Sequence, residues 1–311
     1  ERLEEVAVHY RHHGGVSPIN EQNRQLKTAL EAEIARRGLD LPVYWGNRNW
    51  EPYVTDALAE ARAAGATKLI ALATSAYSSY SSCRQYREDF ADALEATGTQ
   101  GELEIDKVGQ FFDHPGFVQP FDDGLLEAID SLRAEDPELA LADIEVLFTT
   151  HSVPTSDANK SGPETRGFGE GGAYAAQHLA VAEVVVADVA AALAERGEGG
   201  VELNWQLVYQ SRSGAPHIPW LEPDVNDVIA RLAEEDSADA VVVVPIGFVT
   251  DHVEVVWDLD TEAKETAEEK GLAFRRVATT HARSIAERMS VLSDAELTEL
   301  QGLTTKLRGT A

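Results

Sequence analysis

Cysteine is almost absent from this chain of 311 residues: Cys83 is the only one. A lone thiol forms no internal disulfide, and it cannot supply the four thiolates of an ordinary iron–sulfur cluster. Cysteine usage of this kind fits a reducing cytoplasm, which is the expected location. Uninterrupted apolar runs of about 18 residues are also missing, so no transmembrane helix is expected. No signal-peptide pattern opens the sequence. Cations are scarce: 26 Lys and Arg against 54 Asp and Glu leave a formal charge of −28. Phosphate backbones are bound through clustered Lys and Arg, so nucleic acid is excluded as a partner, and an anionic membrane surface would be repelled. An anionic small molecule would need local Arg, hydroxyl or backbone N–H groups, whereas a metal cation would need none. Also missing are G-x-G-x-x-G, the Walker A loop, the G-x-S-x-G elbow and a Cys–His nucleophile signature. These absences weigh against nucleotide binding and covalent hydrolysis.

What is present is an ordinary globular composition, 43% hydrophobic and 26% charged, on a chain long enough for two domain cores. Apolar runs at 67–74, 144–150, 204–210, 238–248 and 273–277 read as buried parallel strands. Between them lie helical-period segments at 20–37, 51–64, 84–95, 118–133, 172–196, 223–234, 252–270 and 281–289. Alternating β and α units predict an α/β fold with parallel sheets covered on both faces. The same grammar in both halves predicts two similar Rossmann-like, doubly wound domains, 1–150 and 151–311, with an active-site cleft between them. The chain opens on a helix-like stretch where such a fold begins with a strand, so the numbering is expected to start inside a longer chain. The last helix is expected to pack back on the first domain. Ligands in open α/β sheets sit outside the carboxyl ends of the strands, which directs attention to the residues just after each run.

After the run at 238–248, Glu254, Asp258 and Glu262 stand four residues apart. At about 3.6 residues per turn they share one helix face, a row suited to passing a hard or borderline divalent cation. Asp251 followed by Glu254 also fits a capping box, with Asp as N-cap and Glu at N3, so capping remains an alternative account. His151 ends the run at 144–150, where a neutral imidazole can accept a proton, bind a metal, or simply close a strand-to-loop turn. Residues 209–224, rich in Pro and carrying Trp220, read as a rigid loop that either packs or walls a cleft. The hydroxyl-rich stretch 74–83 fits helix capping better than anion binding. Residues 10–20 combine Tyr10, Arg11, two His, a Gly pair and Ser17, and Phe111 and Phe112 offer a flat aromatic wall or core.

Together these segments resemble the ferrochelatase family. VLFTTHSVP at 146–154 is similar to its signature, and VPIGFVTDHVEVVWDLD to its second active-site motif. The Gln-Ser and PWLEPDV elements of 209–225, GGVSPIN, SAYSSYSSCRQYRE and FFDHPGF follow in family style, over nearly the whole chain. The likeness is greatest to the actinobacterial coproporphyrin branch. It implies insertion of Fe2+ into coproporphyrin III to form Fe-coproporphyrin (coproheme) in haem biosynthesis, with those two substrates as partners and no resident cofactor. It implies His151 and Glu254 as catalytic residues and metal ligands, Asp258 and Glu262 as an outer metal path, and Ser17, Tyr10 and Phe112 as substrate contacts. A monomer is implied, with transient contact with neighbouring haem-pathway enzymes. Several relatives hold a [2Fe–2S] cluster; with Cys83 alone this chain is expected to hold none. Phe112 stands where many relatives have Tyr, and their N-terminal strand and loop have no counterpart here. A cobalt or nickel chelatase acting on another tetrapyrrole, and a non-catalytic tetrapyrrole or metal carrier, are the alternatives.

Overall fold

The alternation read from the sequence appears in the computed structural model, which describes residues 7, 10, 11, 15–200, 202–215 and 217–280. In the first half, α1 (Ile19–Arg36) and α2 (Val54–Ala63) lead into β1 (Lys68–Ala71). A π-helical turn (Tyr80–Gln85) then runs into α3 (Tyr86–Ala96), followed by β2 (Glu104–Lys107). Strands β1 and β2 pair in parallel. Strand β2 went unrecognised because its four residues, EIDK, are too short and polar to stand out.

The second sheet is larger. Helix α4 (Pro115–Glu135) precedes β3 (Ile144–His151), α5 (Gly172–Leu193) and β4 (Asn204–Gln210). Then come α6 (Val225–Glu234), β5 (Ala240–Val244), α7 (Val253–Trp257), a π-helical turn (Asp258–Ala263), α8 (Lys264–Lys270) and β6 (Ala273–Arg276). The strand order is β4-β3-β5-β6, all parallel. A division at residue 150 falls inside this sheet: β3 is hydrogen-bonded between β4 and β5, so the second sheet starts at Ile144. Helix α4 also packs on it, against β5 and β6. The segment 281–289, and with it the expected last helix, lies outside the described residues.

Why the strands read as continuous apolar runs is plain from their two faces. Ile144, Val146 and Phe148 of β3, with Val242 and Val244 of β5, bury against Phe121, Leu125 and Ile129 of α4 and Val181, Val185 and Val189 of α5. Leu147, Val241 and Val243 turn the other way, onto Val228, Ile229 and Leu232 of α6 and Val255 and Leu259 beyond β5. Successive side chains point to opposite faces, so a strand covered on both sides must be apolar throughout. Each such side chain contributes about 1.5–3 kcal/mol on burial. Helix α5 is apolar enough to cross a bilayer by length and composition, but its stripe at 181, 185 and 189 is buried in this core.

The segment expected as one helix over 252–270 is three pieces. His252, not Asp251, is the N-cap of α7, its Nδ1 accepting from the Val255 N–H at 3.4 Å. Asp251 instead pairs with Arg276 on β6 at 2.9 Å. The capping-box account therefore fails: a neighbouring guanidinium holds the aspartate, and an imidazole nitrogen caps the helix.

Candidate active site

From β3 the chain crosses to β4 on one side of the sheet, and from β5 it crosses to β6 on the other. Their carboxyl ends therefore flank a switch point, where an open α/β sheet leaves a crevice. The strand-end loops are pressed together there. The Gly247 N–H donates to the Thr149 carbonyl at 3.1 Å. A Cβ on Gly247 would stand 2.1 Å from Thr150 Oγ1, so only glycine permits this approach. The result brings His151, at the end of β3, to Glu254, in the first turn of α7, with Nε2 and Oε1 3.6 Å apart.

The tautomer of His151 follows from its other nitrogen. Nδ1 is hydrogen-bonded to the Ser152 carbonyl, which can only accept, so Nδ1 carries the proton. Neutral His151 therefore turns the Nε2 lone pair towards Glu254. Burial pushes the imidazole pKa down, but the hydrogen bond and charge of Glu254, the Ser152 carbonyl and the charge of Asp258 together outweigh it, and the net shift is upward. On the far side of this pair, Tyr174 donates to the His151 carbonyl at 2.8 Å.

Asp258 is 8% exposed. Its Oδ2 accepts from Ser211 Oγ and from Gln210 Nε2, the latter at 3.2 Å. Ser211 reaches it from a left-handed backbone, φ 61°, which a side-chain-bearing residue adopts only under constraint. Burial, reinforced by the charges of Glu254 and Glu262, pushes this carboxyl up to about 7 against those two donors. Glu262 accepts from Trp257 Nε1 at 2.9 Å. The π-helical turn between Asp258 and Ala263 rotates each residue less than the α-helix's ~100°, which offsets the drift that a uniform helix would give the row.

Glu254, Asp258, Glu262, Tyr10 and Ser17 line one cavity of about 1280 Å³. The strand-to-loop passage after β4 forms part of its wall through Gln210, Ser211, Arg212 and Ser213. That passage is stiffened where Trp220 packs on Gly214 and where Leu221 N–H donates to the Val153 carbonyl at 3.0 Å. Neither His151 nor Phe112 is among the residues lining this cavity; Phe112 stacks on Tyr77, ring centres 5.8 Å apart, against the core. Its ring is apolar and its neighbours are core side chains, which retain it there. Of the stretch 74–83 only Thr74 lines the cavity, while Ser79 caps the π-helical turn by accepting from Ser82 N–H at 3.0 Å. Sequence reasoning missed His252, Trp45, Asn47, Arg48, Trp50 and Tyr86, all cavity-lining. The aromatic and polar density of WGNRNW at 45–50 was the available signal. Among the described residues no three His, Cys, Asp or Glu side chains converge as a metal cage. Cys83, half-buried, meets Gln110 Nε2 at 3.0 Å and is the chain's only thiol, so a four-cysteine cluster has no ligands here.

Comparison with known proteins matches residues 1–290 to the ferrochelatase family. The chain is 62% identical over 293 residues to a coproporphyrin III ferrochelatase of Leifsonia xyli subsp. xyli, covering 92% of this chain and 73% of that protein. It is 55% identical over 282 residues to a coproporphyrin III ferrochelatase of Streptomyces griseus subsp. griseus, covering 90% and 72%. A looser structural likeness, TM-score 0.47 at 11% identity over 86% of each chain, is to the sirohydrochlorin chelatase SirB of Bacillus subtilis subspecies spizizenii.

Proposed function

This chain belongs to the ferrochelatase family, and from that premise we propose that it inserts ferrous iron into coproporphyrin III to give Fe-coproporphyrin in haem biosynthesis. Fe2+ is a substrate here. The observation that carries the site assignment is the His151–Glu254 pair, 3.6 Å apart at the switch point of the parallel sheet. Metallation must remove two pyrrole N–H protons and strip a hydrated cation of its water. His151 Nε2, unprotonated in the neutral ring, takes a pyrrole proton or meets the iron first, and Glu254 is its acidic counterpart. The upward shift of the imidazole favours holding a proton once taken.

Asp258 and Glu262 supply iron along the helix, their row continuing from Glu254 on the cavity wall. Tyr10 and Ser17 contact the macrocycle from the opposite half. The enzyme acts as a cytoplasmic monomer, in transient contact with neighbouring enzymes of the pathway. We place the division between its two units between β2 and α4, because α4 packs on the second sheet.

The test is anaerobic absorbance of coproporphyrin III with ferrous iron, with and without protein. Catalysed loss of the free-base spectrum is expected. A static spectral shift with no acceleration would reduce the protein to a carrier.

A further inference from the structure

One residue of the cavity is conspicuously unburied. Trp50 is 69% exposed although it lines the cavity, and Tyr10, 39% exposed, lines it too. Single exposed apolar side chains need no explanation, but a large ring left wet on the wall of a cavity, beside further aromatic side chains, does. Trp45 and Tyr86 line the same cavity.

The backbone of the loop that carries Trp50 is tied down at both ends. Asn47 N–H donates to the Pro52 carbonyl at 2.6 Å, and Val54 N–H returns to the Asn47 carbonyl at 3.0 Å. The Asn47 side chain donates to the Glu51 carbonyl at 3.1 Å and to Asn20 Oδ1 at 3.2 Å, tying the loop to α1. At its base, a Cβ on Gly46 would lie 2.7 Å from Val54 Cα, so the two arms are in direct backbone contact. Residues 48–51 thus form a closed tip whose backbone is tied at both ends and from which Trp50 projects, an arrangement that lowers the entropic cost of ordering the loop on a ligand. Polar neighbours on the cavity wall are the amides of Asn49, Asn20 and Asn23 and the guanidinium of Arg48, which pairs with Asp89 at 2.5 Å and lies over the Tyr86 ring. Three of the cavity's acids, Glu254, Asp258 and Glu262, stand on α7 and the π-helical turn, and a fourth, Asp224, caps α6.

We infer that Trp50 is a substrate-binding residue that stacks on the macrocycle, with neighbouring amide N–H groups meeting its carboxylates, and that it sets affinity for the tetrapyrrole without handling the metal. A flat aromatic ligand rimmed by carboxylates matches a flat indole beside amide donors. The acid row, carried by other elements, is left to the cation. The inference rests on the tetrapyrrole reading above.

The experiment titrates coproporphyrin III into the intact protein, following tryptophan emission and porphyrin absorbance, for wild type, Trp50→Ala and Trp50→Phe. Steady-state metallation then gives KM for porphyrin and for ferrous iron separately. Trp50→Ala should weaken porphyrin binding about tenfold, the scale of one lost aromatic contact, and Trp50→Phe only a few-fold. KM for ferrous iron should stay at the wild-type value in both. Unchanged porphyrin affinity in Trp50→Ala overturns the assignment, as does an iron KM that rises in step with the porphyrin KM. Wild type that binds no coproporphyrin III at all would remove the functional reading itself, and this inference with it.

Discussion

His151 and Asp258 carry opposite kinds of constraint, and each makes a pH-dependent prediction. The imidazole pKa is raised, so His151 stays protonated to higher pH than a free histidine and regains its Nε2 lone pair only above that. Metallation should rise with pH through an apparent pKa above 6.5, and Glu254→Gln, by removing the largest upward influence, should move that inflection down. His151→Ala should lower turnover by about 10²- to 10⁴-fold with an unchanged circular dichroism spectrum; a fully active variant would dismiss the assignment. The carboxyl of Asp258 is raised to about 7 from an unfolded value near 3.8, so its protonated form stabilises the fold below pH ~4 and that contribution is lost as pH rises towards 7. Asp258→Asn keeps an acceptor for Ser211 and Gln210 without the buried charge. Its thermal midpoint should exceed wild type at pH 8, by an amount equivalent to at most about 4 kcal/mol, and converge with it near pH 4. The same variant should raise KM for iron. At this scale type, spacing and family resemblance single out His151, Glu254, Asp258 and Glu262 as candidates, but the sequence could not say that Asp258 is buried and Glu262 exposed. Phe112 shows the limit: an aromatic side chain reads alike whether it faces a cavity or a core.

At the scale of elements, the site depends on how two strand ends meet. Gly247 lies so close to Thr150 that a methyl group there must push the β5 loop off β3. Gly247→Ala should cost about 1–3 kcal/mol in denaturant unfolding and separate His151 from Glu254, so metallation should fall more than stability alone accounts for. Activity equal to wild type in a variant destabilised by that amount would show that the contact does not set the pair. A core substitution away from this contact, Ile129→Ala on α4, should cost about 2–5 kcal/mol yet leave both KM values unchanged in the folded fraction. Most elements were legible because the second sheet is apolar on both faces and its helices carry one buried stripe. The break of 252–270 into α, π and α pieces was not, since hydrophobic spacing over a few residues does not separate one turn type from the other. Nor was the cap: Asp251 looks like an N-cap until Arg276 arrives from a strand 25 residues later.

Over the whole molecule, a charge of −28 surrounds a cavity lined by Glu254, Asp258 and Glu262. Such a field concentrates cations and is screened within about 8–10 Å at ordinary salt. Raising NaCl at constant pH should therefore increase KM for ferrous iron and leave turnover at saturating iron nearly unchanged; a salt-independent iron KM would show that only local ligands matter. The sequence by itself determined the α/β class, the order of most elements, the exclusion of disulfide and four-cysteine chemistry, and the residue types of the acid row and the histidine. These are local or compositional properties, written in spacing, period and charge. Only the tertiary structure decided that β3 belongs with the second sheet, that Trp50 and Arg48 share a cavity with an acid row some 200 residues away, and which nitrogen of His151 faces Glu254. Those facts depend on non-local backbone pairing and on one glycine's close approach, and packing of that kind leaves no periodic trace in the chain.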